Sequence, residues 1–359
     1  MNIILATNDC ETVIYETVFV ESQHFMSITI KEIARDLGLA VSTVSKALRN
    51  SYEISQETKQ RVFEYAEKLD YLPNPYASSL KRRKTGNIAV VIPEVADSFF
   101  SIAINGIESI AQEKGYHVIV YLTHEDQKKE QAILRDFRSG RVDGVLMSVA
   151  SGMEDRRYIK EFCLRETPIV FFDRICEDTQ AAKVTTNDAD AAFLATRHLF
   201  ERGCKNVAFL SMFGNLAILN NRLEGYKRAH SEFKIKVKLK NIVTCTDVDE
   251  QNLTIIRKLL KSKERPDGVV GSVEKVTTLL YTVSKELKIK IPRDLKVVGF
   301  SNLQIAALLD PPLTTVAQPA FEMGKAAASI LFGVLDKKKV DLAKETMVLP
   351  SLLVKRSST

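Results

Sequence analysis

"TIKEIARDLGLAVSTVSKALRN", residues 29–50, holds two short helical patterns separated by one glycine. Ile30, Ile33, Ala34 and Leu37 fall on one stripe, and Val44, Ala47 and Leu48 repeat at helical spacing after Gly38. Thr29 and Glu32 have the form of a capping box, in which each side chain satisfies the other's free backbone N–H. Between the apolar positions of the second pattern stand Ser42, Thr43, Ser45, Lys46 and Arg49. A third pattern follows Ser55, a good N-cap, and carries Val62, Ala66 and Leu69.

Helix, glycine turn and second helix is the layout of a helix-turn-helix, whose second helix sets its first residues against base edges in the DNA major groove. Hydroxyls and cations suit that task, because they bond phosphates and the acceptor edge of guanine. The same face alone would suit any solvated helix. The capped first helix, the turn, the third helix and a basic linker together point to DNA.

That linker is "PNPYASSLKRRKT", residues 73–85. Asn74 can cap, Pro75 suits a first helical position, and Ala77 and Leu80 lie three apart. Two turns are marginal as an isolated helix, so the segment is expected to order only when supported. Lys81, Arg82, Arg83 and Lys84 follow in succession.

From Asn87 the texture changes to short apolar strands alternating with amphipathic helices, the pattern of parallel sheets covered by helices. The strands read as "NIAVVIP", "HVIVYLT", "DGVLMSV", "PIVFFDR", "NVAFLSM", "NIVTC", "DGVVGS" and "LKVVGFS". The length suits two doubly wound α/β lobes. The chain is expected to cross between them near "VTTND" (184–188), near Leu313–Gln318 and after a helix at 320–335. The expected organisation is an extension or poorly ordered arm over 1–25, a head over 26–73, a hinge over 74–85 and a core over 86–359. Within the core, one lobe takes about 86–185 and 315–342, and the other about 186–314 and 343–356.

Composition bounds the function. The chain has 359 residues, 45% hydrophobic and 27% charged, with a formal net charge of +6. No apolar run approaches the roughly 18 residues needed to span a membrane. Residues 1–25 carry four acids and no Lys or Arg, unlike a secretory signal, and Met26 reads as a natural start. The five cysteines are scattered with no C-x-x-C pair, which suits buried thiols in a reducing cytoplasm. No phosphate loop, G-x-G-x-x-G, G-x-S-x-G or H-E-x-x-H occurs, and the histidines share no ligand spacing. No catalytic residue, metal or cofactor is expected.

"TIKEIARDLGLAVSTVSKALRN…ISQETKQRVFEYAEKLDYLPNPYASSL" resembles the DNA-binding region of the lactose/galactose repressor family. The likeness continues more diffusely through "VIPEVADSFF", "PIVFFDR", "RLEGY", "VVGFSN" and "PPLTTVAQP". It implies an all-α helix-turn-helix head on a core similar to periplasmic sugar-binding proteins, with a ligand cleft between two lobes. It implies a repressor acting as a homodimer on a pseudo-palindromic double-stranded operator, switched by a small-molecule effector such as a sugar or sugar derivative.

By position, the resemblance implies that Val41, Ser42 and Lys46 read bases. Thr43, Ser45, Ser55, Thr58 and Asn74 would hold phosphates, and Arg49, which replaces the family's usual Asn, would add a phosphate contact. Ile30 and Ala77 belong to the same interface, and Leu80 matches the leucine that wedges into the central base step. Ala40 replaces the usual Ser, so the second helix is expected to lose an N-cap worth about 0.5–2 kcal/mol.

In the cleft, the resemblance implies that Phe99 and Phe100 flank the effector and that Asp173, Arg174 and Arg222 are polar contacts. The Phe pair would equally suit a core. Ser301 stands where sugar-binding members often carry Asp, and the common Asn-Asp after "PDGVV" is absent, leaving Glu274 nearby. With that carboxylate missing, an anionic or modified ligand is expected. A transport protein with the same core would need an export signal and no head. A metabolic enzyme on a doubly wound fold is disfavoured by the missing motifs.

Overall fold

The computed structural model describes residues 28–71, 84–152, 156–165, 167–214, 216–336 and 340–359. Asn74, Ala77, Leu80 and the 1–25 arm lie outside them. The described residues fall into two compact units, 28–71 and 84–359.

The first unit consists of α1 (Ile30–Asp36), α2 (Val41–Leu48) and α3 (Gln56–Lys68). Each helix stops the same way. Gly38, Asn50 and Asp70 take positive φ of 66°, 53° and 48°. The next residue's N–H then bonds back into the last turn: Leu39 to Ala34 O, Ser51 to Lys46 O and Tyr71 to Ala66 O, at 2.8–3.0 Å. These are the Schellman closures that Gly, Asn and Asp tolerate best. Ile33, Ala34, Val44, Ala47, Val62 and Ala66 form the buried centre, as the spacing predicts. The Tyr65 hydroxyl donates to Asp36 at 3.1 Å, tying α3 to α1.

The second unit is built on two six-stranded sheets. The first orders β11 (Thr346–Leu349), β5 (Ala182–Thr186), β4 (Ile169–Phe172), β3 (Gly144–Met147), β1 (Asn87–Ile92) and β2 (His117–Leu122), all parallel. The second orders β12 (Leu352–Val354), β10 (Thr314–Ala317), β9 (Lys296–Phe300), β8 (Gly268–Gly271), β6 (Val207–Met212) and β7 (Ile242–Cys245), parallel except for β12. The central strands are buried on both faces and therefore read as continuous apolar runs.

Helices α4 (Ser98–Glu113), α5 (Gln127–Phe137), α6 (Arg157–Cys163) and α11 (Ala320–Leu335) cover the first sheet. Helices α7 (Asp188–Glu201), α8 (Ala217–Glu232), α9 (Asp249–Leu260) and α10 (Glu274–Glu286) cover the second. Helices α7 and α8 approach so closely that a Cβ on Gly225 would stand 2.0 Å from Ala189 O. Among the described residues no helix is long and apolar enough to cross a membrane. Burial pushes the thiols of Cys163 and Cys204 up to about 12, so they are poor nucleophiles at neutral pH.

Two boundaries differ from expectation. Strand β10 was assigned by the 314/315 boundary almost wholly to the first lobe, but it pairs with β9 in the second sheet. The stretch from 343 was assigned to the second lobe, but β11 pairs with β5 in the first sheet. The last crossing therefore falls between Leu349 and Leu352, one strand later than expected. The crossings are stitched together: Gln318 Nε2 donates to Asp173 Oδ1 (3.3 Å) and Thr186 Oγ1 (3.4 Å), and Ser351 N–H donates to Asn187 Oδ1 (2.8 Å).

Candidate nucleic-acid interface and ligand cleft

Helix α2 is locked by Val44 and Ala47, both fully buried, so its opposite face is held outward. Val41 (42% exposed), Ser42 and Arg49 are open to solvent, and Thr43, Ser45 and Lys46 are half-buried. Arg49 folds back on its own helix, Nε to Ser45 O at 3.0 Å and Nη2 to Ser45 Oγ at 3.1 Å. Lys46 Nζ is ion-paired with Glu53, an acid the sequence reading did not single out. Ala40 makes no side-chain cap bond. Ser55 caps α3 by accepting from Thr58 N–H (3.2 Å), and its hydroxyl donates to Thr58 Oγ1 (2.9 Å). Ile30 packs half-buried against the head core.

In the second unit, candidate polar groups gather just past the carboxyl ends of parallel strands, where open α/β sheets place ligands. Asp97 and Ser98 follow β1, Glu125 follows β2, Asp173 and Arg174 follow β4, Ser272 and Glu274 follow β8, and Ser301 follows β9. Asp173 sits at a φ of 60° and is almost fully buried. Arg174 Nη1 donates to Glu125 Oε1 at 2.6 Å, Nε lies 3.9 Å from Asp173 Oδ2, and the guanidinium stands 5.7 Å above the Phe100 ring. Phe99 and Phe100 are buried in the first-lobe core, edge-on to each other, and Phe100 is edge-on to Phe172. Of the two readings open for that pair, the core one describes their packing, with Phe100 beneath Arg174.

Arg222 is 2% exposed. Its Nε donates to Asp188 Oδ1 at 2.7 Å, Nη1 donates to Ser272 O at 2.5 Å, and the guanidinium lies 4.0 Å above the Phe300 ring. Among the described residues its buried Nη2 has no partner, nor has Ser272 Oγ. Asp188 begins α7 and Arg222 lies on α8; the close approach at Gly225, one turn on, brings them together. Burial raises the Asp188 carboxyl, and burial pushes Asp173 up to about 6.

Ser301 is not a gap in the site. Its hydroxyl donates to Glu274 Oε2 at 2.7 Å, so a carboxylate stands beside the position expected to lack one. Glu274 also accepts from Ser98, at 2.5 Å from the hydroxyl and 3.3 Å from the backbone N–H, which joins the two lobes. Asp97 caps α4 by accepting from Phe99 N–H at 2.9 Å, and burial, with Glu274 adding repulsion, raises its carboxyl. The sequence reading missed Asp97, Ser98, Glu125, Asp188 and Gln318. Their only signal was position, since most stand within a few residues of a strand's end.

The family described as "Bacterial regulatory proteins, lacI family" matches residues 29–74, and "Periplasmic binding protein-like domain" matches residues 196–359. The HTH-type transcriptional repressor PurR of Vibrio atlanticus (strain LGP32) is 31% identical over 330 residues, covering 92% of this chain and 98% of the relative. Catabolite control protein A of Priestia megaterium is 29% identical over 337 residues, covering 93% and 100%. The lac repressor dimer bound to operator and the anti-inducer ONPF shares the fold, with a TM-score of 0.79 at 20% identity, covering 92% of this chain and 99% of that one.

Proposed function

The chain belongs to the lacI family of bacterial regulatory proteins, and from that premise we propose that it is a homodimeric cytoplasmic repressor whose hold on a pseudo-palindromic operator is switched by a small molecule in the core cleft. Members of this family are DNA-binding transcription regulators, not enzymes. The observation that carries the reading is the outward face of α2. Val44 and Ala47 fix the helix from behind, so Val41, Ser42 and Lys46 project together from its first turns. Base readout needs that rigidity, because hydrogen bonds to base edges discriminate only when the donors are held in place.

In this reading Val41, Ser42 and Lys46 meet bases, and Thr43, Ser45, Arg49, Ser55 and Thr58 meet phosphates. Arg49 reaches phosphate by leaving Ser45, and Lys46 reaches a base by leaving Glu53. Asn74, Ala77 and Leu80 complete the interface on sequence grounds. The effector is a sugar derivative, held from the first lobe by Arg174 and from the second by Arg222 and the Ser301–Glu274 pair.

DNase I footprinting of the full chain on genomic fragments tests this. Two protected half-sites related by a dyad and set by the helical repeat are expected. Protection without discrete edges would reject the reading.

A further inference from the structure

We propose that the effector of this cleft carries a protonated amine beside hydroxyl groups, as a sugar with a free amino group does, and that Glu274 and Asp97 receive the amine. This rests on the reading of the cleft as the effector site.

The charges there do not balance. Among the described residues, the cations set against the acids Asp97, Glu125, Asp173 and Asp188 are Arg174 and Arg222, and Glu274 is the fifth acid of the group. Arg174 is taken by Glu125 at 2.6 Å and approached by Asp173 at 3.9 Å, and Arg222 is taken by Asp188 at 2.7 Å. Among the described residues, Asp97 and Glu274 have hydrogen-bond donors but no ion pair: a backbone N–H for Asp97, and Ser98 and Ser301 for Glu274. Neutral donors stabilise a carboxylate less than a cation does. These acids do not make a metal site, since no group of three or more His, Cys, Asp or Glu among the described residues is placed to hold an ion.

A second, independent feature calls for a ligand. Arg222 Nη2 and Ser272 Oγ are fully buried and unpartnered among the described residues, and the two residues already touch through Arg222 Nη1 and Ser272 O. Buried polar atoms are ordinarily satisfied, so an acceptor on a bound molecule is the missing partner. A ligand with a cation for the carboxylates and hydroxyl oxygens for Arg222 and Ser272 meets both needs. Of the anionic or modified ligand expected from the loss of Asp at position 301, the anionic form would meet an excess of negative charge, and an amino sugar is a modified one, with Glu274 beside Ser301 to receive it.

The same placement links binding to lobe geometry. An ammonium group at Glu274 competes with the Ser98 hydroxyl, which is a bond between the lobes.

The test is calorimetry of the full chain with glucosamine, galactosamine, mannosamine, N-acetylglucosamine, glucose, glucose 6-phosphate and spermidine. At least one hexosamine is expected to bind ten-fold or more tightly than its neutral counterparts and than the phosphate ester. Glu274→Gln is expected to bring that ratio near one while retaining the melting temperature, and Asp97→Asn to lower it in part. A glucose, N-acetyl or phosphate compound that binds as well as the best hexosamine overturns the proposal. An amine preference unchanged in both variants does the same, and tighter binding of spermidine overturns the sugar component. A preparation that separates operator from random DNA but ignores every amine overturns this proposal alone. One that does neither overturns the proposed function as well.

Discussion

Asp188, the first residue of α7, holds Arg222 of α8 at 2.7 Å, with both side chains almost entirely buried. The pair makes Arg222 a structural as well as a ligand-facing residue. Arg222→Ala leaves Asp188 a buried charge without its partner, a loss typically of about 3–5 kcal/mol. Urea denaturation of the two proteins measures it. A variant within about 0.5 kcal/mol of wild type would show that the pair contributes nothing.

Gly225→Ala is expected to destabilise by about 1–3 kcal/mol, the usual cost of forcing extra atoms into a packed contact. The added methyl would meet Ala189 O at 2.0 Å and Phe193 N at 2.7 Å, both backbone atoms that cannot swing aside. The shift of α8 should also weaken effector binding, because Arg222 rides on that helix. Unchanged melting would mean that the helices separate at no cost.

Asp173 gives the core a pH dependence of defined sign. Its carboxyl is raised by burial from 3.8 to about 6, so the folded state favours the protonated form. That contribution is fully present below about pH 3.8 and is lost as pH rises through about 6. Asp97 and Asp188, also raised by burial, act in the same direction. Asp173→Asn should therefore gain stability relative to wild type between pH 4 and pH 7. Denaturation midpoints that run parallel across that range would contradict the assignment.

The head was legible because its signals are local. Caps, stops and apolar spacing lie within a few residues of the helices they define, and the buried set Ile33, Val44 and Val62 follows from period alone. Eight strands were legible as apolar runs. The four that were missed are short and atypical. Strand β5 is "AKVTT" with alternating burial, and β10 buries Thr314, whose hydroxyl donates to Arg356 O, and Thr315, whose hydroxyl accepts from Arg356 Nη1. Strand β11 is largely exposed and β12 has only three residues. The candidate cleft was half legible. The resemblance marked Asp173, Arg174, Arg222 and Ser301, but the Asp188–Arg222 pair spans 34 residues and the Ser98–Glu274 link spans 176. Only tertiary packing makes such pairs, so no spacing announces them.

Lys46→Ala should lower affinity for operator far more than for random DNA, while Thr58→Ala should weaken both alike, because base contacts specify and phosphate contacts position. Glu53→Gln frees Lys46 from its ion pair and should raise affinity for both DNAs. Anisotropy titrations with labelled duplexes separate these outcomes. Equal loss on both DNAs for Lys46→Ala would remove it from the base-reading set.

The central claim is that the outward face of α2 reads sequence. Residues 28–71 carry seven Lys or Arg and seven Asp or Glu, so affinity here depends on where cations stand and not on bulk charge. The most direct measurement is the affinity of the full chain for an operator enriched from a randomised duplex pool, against a scrambled duplex, across a salt series. The expected ratio is roughly 10³ or more, with log affinity falling by about 0.9 per phosphate contact against log salt. A ratio near one at every salt concentration, with no sequence enriched from the pool, would contradict the account.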